Sequence, residues 1–458
     1  MTVRSLYAGL SALRAQSRRL EVTQQNTANA ATPGYRRQEV DLRSVAGDRR
    51  NASLFGVSAG PRRSVLDPFV DRQVTHRRGA AAYENEIASS YRSAEAVFDP
   101  LGSEGINLQL SALTSSLRRL SAFPAGQPER RDVISQAEGL ASELRRARSA
   151  MVDTARGLED SAGDLVGRLN RELQEIAELD RAIQRERARS GGQEGDLVDR
   201  RDTIAAQVAE TLDARIARRI DGTLHLSTPE GATLVEGGKA RTVEVQREGS
   251  ELVVRVASGE LRQRLGRPGG RLGAKVEVHN EVLRERVGTL DQLAFDLGTG
   301  LNAIHETSFG VDGSTGRPFF TVGPLVEGAA QTLSVDPLLL ANSDGLAMSS
   351  DPLLTGNNDG LVAMLSFLDG PLSTGRSAGE VARGMVQAIG TRIADAERRA
   401  ENLGLALGQL QALQDSVSGV SLEEEFVRLI ETQRAFEAAL KVITTADEML
   451  QTVLSIKR

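Results

Sequence analysis

The sequence predicts a mainly α protein with an inserted small β domain, built from paired N- and C-terminal coiled-coil helices and a bundle of long helices between them. Three observations carry this expectation. Apolar residues alternate in steps of three and four at both ends of the chain, no proline interrupts the stretch between Pro128 and Ser190, and the period switches to two between residues 214 and 257.

In chain order, Leu6, Leu10, Leu13 and Leu20, with Ser17 and Gln24 in the intervening slots, form a heptad stripe on a first helix. Pro33-Gly34 ends that helix, because proline lacks the donor and glycine permits positive φ. An extended stretch reaches Leu66. Asp67-Pro68 then starts a helix, a carboxylate cap before a first-position proline, that runs to Asp99-Pro100. Ile106, Leu110, Leu113, Leu117 and Leu120 mark the next helix, which stops at Phe123-Pro124. The proline-free stretch after Pro128 would be about 90 Å long as one helix. Gly191-Gly192 breaks it, and helix resumes from Asp196 to Leu212.

The alternating region reads as strands joined at Asp221-Gly222, Gly237-Gly238 and Glu248-Gly249-Ser250. Helix returns from Val276 to Glu306, a turn-rich stretch follows with a surface loop from Asn342 to Gly360, and a helix spans Ala378 to Val417. Ser421 caps the last helix, and Glu423-Glu424-Glu425 oppose the positive end of its dipole. Its stripe is Phe426, Leu429, Gln433, Phe436, Leu440, Ile443, Asp447, Leu450 and Leu454, in which Gln433 and Asp447 would set register. So narrow a stripe needs a partner helix. Periodicity leaves two arrangements open, the termini paired with each other or each laid on a globular core. The pattern divides the chain into an axial domain (1–60 with 418–458), a helical bundle (61–212 with 271–417) and a β domain (213–270).

Composition excludes several chemistries. The 458 residues carry a formal charge of −6, ordinary for a soluble chain, and only four of the cations are lysines. Cysteine is absent, which removes disulfides, thiolate metal sites and cysteine nucleophiles. Aromatic residues are scarce and tryptophan is missing, which disfavours a small-molecule pocket. No signal-peptide core can be drawn near the N-terminus, and no apolar window is long enough to span a bilayer. His76, His225, His279 and His305 fall in separate elements without metal-ligand spacing. Gly298-Thr299-Gly300 lies inside a helical pattern rather than after a strand, and Asp312-Gly313-Ser314-Thr315-Gly316 has too few oxygens for a calcium loop. The expectation is a protein with no catalytic residues, no cofactor and no metal.

Asn26-Thr27-Ala28-Asn29-Ala30-Ala31-Thr32-Pro33-Gly34-Tyr35-Arg36-Arg37-Gln38, directly after the first heptad helix, resembles the signature of the axial proteins of the bacterial flagellum. The stretch from Ser418 to Phe426 is similar to the C-terminal motif of the same family. Asp196–Asp202 (DLVDRRD), the run from Gly270 to Phe320 with GVDGSTGRPFF, and Gly356-Asn357-Asn358-Asp359 resemble the hook–filament junction branch rather than the hook or distal rod. The resemblance implies type III export of the unfolded chain, secretion to the flagellum and a β-rich domain outermost. Implied partners are further copies of the chain in a ring, the hook protein, a second junction protein and a flagellar export chaperone, with no nucleic acid and no membrane insertion. On this reading Leu6, Leu10, Leu13, Leu20, Phe426, Leu429, Phe436, Leu440 and Ile443 form the subunit interface. Asn26, Asn29, Pro33, Gly34 and Tyr35 shape the turn leaving it. A cytosolic coiled-coil signalling protein is the reading from a different class, and an enzyme using the β insert as a lid is a third.

Overall fold

The computed structural model describes residues 2–32, 35–45, 56–98, 103–190, 195–354 and 356–456. The expected helix stops at Pro33-Gly34 and Asp99-Pro100 and the break at Gly191-Gly192 lie outside them. Helix α1 spans Thr2–Asn29 and is followed by a hairpin, β1 (Gln38–Val45) and β2 (Gly56–Ser64). Then come α2 (Pro68–Phe98), α3 (Ser103–Ala122), α4 (Gln127–Ser190) and α5 (Gly195–Leu212). Asp67 caps α2, its Oδ1 accepting from the Phe69 and Val70 amides at 2.8 and 3.3 Å. With 64 residues, α4 is about 96 Å long.

Between residues 215 and 264 the chain forms two antiparallel sheets. One holds β3 (Arg215–Arg218), β4 (Leu224–Ser227), β5 (Thr233–Glu236) and β6 (Lys239–Ala240) in that order. The other holds β7 (Thr242–Glu248), β8 (Glu251–Ser258) and β9 (Leu261–Arg264). Gly222, Gly237, Gly238 and Gly249 all have positive φ at the turns where the sequence places them. Helix α6 (Gly270–Glu281) continues through a π-helical segment, Val282–Val287, into α7 (Gly288–His305). Short elements β10 (Phe320–Thr321), α8 (Ala329–Thr332), β11 (Ser334–Val335) and α9 (Pro337–Ala341) precede α10 (Asp359–Asp369), α11 (Ala378–Ser418) and α12 (Leu422–Ile456). Inside α7, Gly300 is required by a close approach: a Cβ there would lie 2.0 Å from the Phe367 ring of α10.

Two apolar cores result, and α4 runs through both. Its first half, from Val133 to Leu158, packs with α2, α3, α7, α10 and α11. Its second half, from Ala162 to Leu179, packs with α5 and the inner faces of both sheets, so the strands share a core with helices and have none to themselves. Strands are fastened to helices by asparagine amides that copy a β-ladder. Asn170 of α4 donates to the Val243 carbonyl and accepts from the Val243 amide, both at 2.8 Å. Asn280 of α6 treats Leu252 the same way at 3.0 and 2.7 Å. Asn302 of α7 does so with Phe320, both at 2.7 Å, and also accepts from the Phe319 amide. A side-chain amide offers one donor edge and one acceptor, the pair a strand residue presents.

The expected surface loop between Asn342 and Gly360 is corrected in part, since Ser343 and Gly345 through Ser349 are buried. Phe309 bridges to Ser349, and His305, fully buried, holds the stretch from inside: its Nδ1 lies 2.7 Å from the Arg317 carbonyl and its Nε2 accepts from the Ala347 amide at 2.9 Å. That pairing fixes a neutral imidazole protonated at Nδ1, and burial lowers its pKa from the usual 6.5. The folded state therefore binds fewer protons than the unfolded state below about pH 6.5. Its stabilising contribution is complete above that pH and is lost as pH falls. The urea midpoint of the native chain should drop between pH 7.5 and 5.5 more steeply than that of His305→Gln, and equal slopes would refute the assignment.

Candidate functional site

No group of three or more potential metal ligands occurs among the described residues, and no helix there is long and apolar enough to cross a membrane. The chain instead concentrates its unusual features where its two ends meet. Helices α1 and α12 pair with each other. The line of α12 that meets α1 is Glu425, Thr432, Ala439 and Ala446, all buried and seven residues apart. A Cβ on Gly9 would lie 2.7 Å from Ile443, so the helices touch through a glycine and small side chains.

The structure places the sequence-chosen residues around this seam. Leu429, Phe436 and Ile443 are half-buried along its edge, as are Leu6, Leu13 and Leu20, which share the Gly9 face of α1. Phe426 (52% exposed), Leu440 (42%) and Leu10 (39%) point away from it. The positions 426, 433, 440 and 447 each follow a buried seam residue by one, a rotation of about 100°. Gln433 and Asp447 are accordingly exposed and set no register within the pair, a role left to Glu425 through its bond with Asn26. Tyr7, Val427 and Ile430 add to the apolar surface left outside.

At the base of the pair lies a buried polar neck. Asn26 (1% exposed) repeats the strand clamp, with Nδ2 donating to the Gln38 carbonyl and Oδ1 accepting from the Gln38 amide, both at 2.9 Å. Its second amide hydrogen goes to Glu425 Oε2 at 3.2 Å, and its oxygen also accepts from the Tyr35 hydroxyl at 3.0 Å. Glu425 is fully buried. The expected capping role therefore belongs to its neighbours, while Glu425 ties α12 to α1. Burial, with help from Asp199 and Asp196, pushes the Tyr35 phenol up to about 12, so it stays a donor. Asn29 closes the last turn of α1, its Nδ2 donating to the Gln25 carbonyl at 3.0 Å. Pro33 and Gly34 lie outside the described residues.

Sequence reasoning missed the residues that join this neck to the body. Gln38 Nε2 donates to Asp199 Oδ2 at 2.9 Å, and Ser64 Oγ to Asp199 Oδ1 at 3.1 Å. Burial raises the pKa of Asp199. Gln25 reaches Asp196 at 3.3 Å. On the same helix, α5, Arg201 pairs with Asp180 of α4 at 2.8 Å and donates to the Gly222 carbonyl of the β3–β4 turn. The DLVDRRD stretch is thus a hub: Asp196 and Asp199 hold α1 and the β1–β2 hairpin, Arg201 holds α4 and the first sheet. Arg37 and Arg428 add a surface bracket, pairing with Glu424 and Glu39, both at 2.8 Å. Thr432, Ala439 and Ala446, small residues seven positions apart, are the signal that would have revealed the seam within the chain.

A chain whose ends are zipped together, with large apolar residues left outside the zip, has the build of a structural assembly protein. Both ends match axial-protein sequence models, the flagella basal body rod protein at residues 6–36 and the flagellar basal body rod FlgEFG protein C-terminal at 413–456. Residues 91–320, half of the chain, match the flagellar hook-associated protein FlgK helical domain. The chain belongs to the FlgK family of flagellar hook-associated proteins. Flagellar hook-associated protein 1 of Bacillus subtilis is 23% identical over 499 residues, covering 99% of this chain and 98% of that protein. The Salmonella typhimurium protein of the same name is 25% identical over 328 residues, covering 69% of this chain and 58% of its own length. The flagellar hook junction protein FlgK from Burkholderia pseudomallei superposes with a TM-score of 0.64 at 14% identity, over 75% of this chain and all of that one.

Proposed function

We propose that this chain is a non-catalytic subunit of the bacterial flagellum at the hook–filament junction, where copies associate through the paired termini. The observation that carries this reading is the outward placement of Phe426, Ile430, Leu440, Leu10 and Tyr7 on a helix pair whose own seam is closed by small side chains. A folded monomer gains nothing from apolar groups held in water, whereas a neighbour covering them removes that surface at about 25 cal/mol per Å². The rod-protein matches at both ends support contact with hook components. In this reading the chain keeps the axial domain, helical bundle and β insert drawn from sequence, with the first boundary moved from residue 60 past the end of β2 at Ser64 and the β insert resting on α4 and α5; the chain is exported unfolded, and an export chaperone and a second junction protein are further partners. A chain without cysteine suits that route, since no disulfide has to be unmade before threading.

A motile host deprived of this chain should build complete hooks and release filament protein into the medium. Filaments retained on such cells would refute the assignment.

A further inference from the structure

The outward faces of the two terminal helices differ from each other. On α1, Tyr7, Leu10, Arg14 and Arg18 share a flank that, with Val45 and Val57 of the hairpin, walls a groove of about 550 Å³. On α12, Phe426, Ile430, Glu437 and Leu440 follow one another in steps of four, seven and three along one exposed flank. The first flank carries Arg14 and Arg18 and the second carries Glu437, and the two helices taken whole differ in the same sense. Helix α1 carries four arginines and one glutamate, net +3, whereas α12 carries seven carboxylates and three cations, net −4. Among the described residues neither Arg14 nor Glu437 forms an ion pair, although both helices belong to one zipped pair.

We propose that the α12 flank of one copy seats in the α1 groove of the next, front to back, with Arg14 against Glu437 of the neighbouring copy. This rests on the assembly reading above and adds which faces meet. The level follows from the intramolecular register. Gly9 lies against Ile443 and Asn26 against Glu425, so residue numbers at one height in the antiparallel pair sum to about 451. Arg14 stands level with Glu437, and Leu10 with Leu440. A neighbour side by side at the same height therefore brings leucine to leucine and guanidinium to carboxylate. Two unlike faces make a heterologous contact, which propagates around a ring or along a helix instead of stopping at a dimer. A second copy is the occupant because it brings a flank of matching height, apolar spacing and opposite charge.

The test uses the full chain in its host, where the absence of cysteine makes introduced thiols unambiguous. Cells co-expressing Leu10→Cys and Leu440→Cys as separate chains are oxidised, and isolated hook complexes are run without reductant. Dimers from the mixture, with only monomer from either variant alone, are the expected result. Dimers from Leu10→Cys alone would mean like faces meet, and no dimer in complexes that contain the chain would place the contact elsewhere. Both results overturn the proposal and leave the assembly reading standing, whereas complexes holding no copy of the chain defeat both. Charge supplies a second readout. Arg14→Glu should lose filaments at least tenfold, and adding Glu437→Arg to the same chain should restore them. Failure of that rescue in a chain that is still secreted and folded counts against the pairing.

Discussion

Asn26→Asp should unfasten the paired termini from the rest of the protein while leaving both apolar cores folded. Asn26 spends both amide hydrogens, on the Gln38 carbonyl and Glu425, and both oxygen lone pairs, on the Gln38 amide and the Tyr35 hydroxyl. No other side chain of this size offers two donors and two acceptors. Aspartate keeps the acceptors, loses both donors and faces the buried Glu425 with a second negative charge. Leaving two buried acceptors unpaired costs about 1–3 kcal/mol each, more where one is charged. A total of roughly 3–5 kcal/mol is expected, concentrated on the neck. Asn26→Leu, which fills the space without the charge, should cost somewhat less. Hydrogen exchange on the full chain separates local from global loss. Amides of residues 5–29 and 422–446 should lose protection at least a hundredfold, with those of residues 133–144 in the first core unchanged. Because a protonated carboxyl regains one donor, the aspartate variant should recover part of that protection as pH falls toward 5. Uniform loss over the whole chain would show that Asn26 is an ordinary core residue.

Helices, hairpin turns and the period switch were legible in the sequence because each depends on local chemistry. Asp67-Pro68 caps a helix wherever it stands, and Gly222, Gly237 and Gly249 turn the chain at positive φ whatever surrounds them. The pairing of the ends was legible only to within one step around the helix. Hydrophobic periodicity weights large side chains, so it selected Phe426 and Leu440, whereas close helix approach selects small ones, so the seam fell on Ala439 and Ala446 beside Gly9. Asn26 was visible as a signature residue, but its partner strand lies 12 residues on and Glu425 lies 399 residues on. No spacing rule reaches that far. The burial of Leu346 to Met348 escaped for the same reason: a stretch rich in turn formers becomes interior where His305 accepts from the Ala347 amide and Phe309 pairs with Met348 and Ser349. The π-helical turn at Val282–Val287 has no sequence signal that we can identify.

Arg201→Met is expected to be the most damaging single substitution in the second core. Arg201 is 1% exposed and Asp180 fully buried, yet the pair is well satisfied. Nη1 donates to Asp180 Oδ1 and the Gly222 carbonyl, both at 2.8 Å, while Nε and Nη2 reach Asp202 Oδ1 at 3.3 and 3.1 Å. Asp180 Oδ2 accepts from the Leu224 amide at 3.1 Å. Removing the guanidinium strands a carboxylate in the interior, which costs about 3–5 kcal/mol. Asp180→Leu should cost less, because Asp202 and the Gly222 carbonyl still hold the arginine. The double variant, with neither charge, should regain most of the loss, since a well-packed apolar pair is often as stable as the ion pair it replaces. A double-mutant cycle in urea gives the coupling directly. The hub arrangement adds a sharper requirement. Asp199 sits two residues before Arg201 and receives Gln38 and Ser64 from the β1–β2 hairpin. If α5 transmits position from the sheets to the neck, Arg201→Met should also raise exchange at residues 56–64, and the double variant should lower it again. A restored urea midpoint with exchange at the hairpin still elevated would instead show that the ion pair orients α5 through its charge, and that stability and alignment are separable properties of this helix.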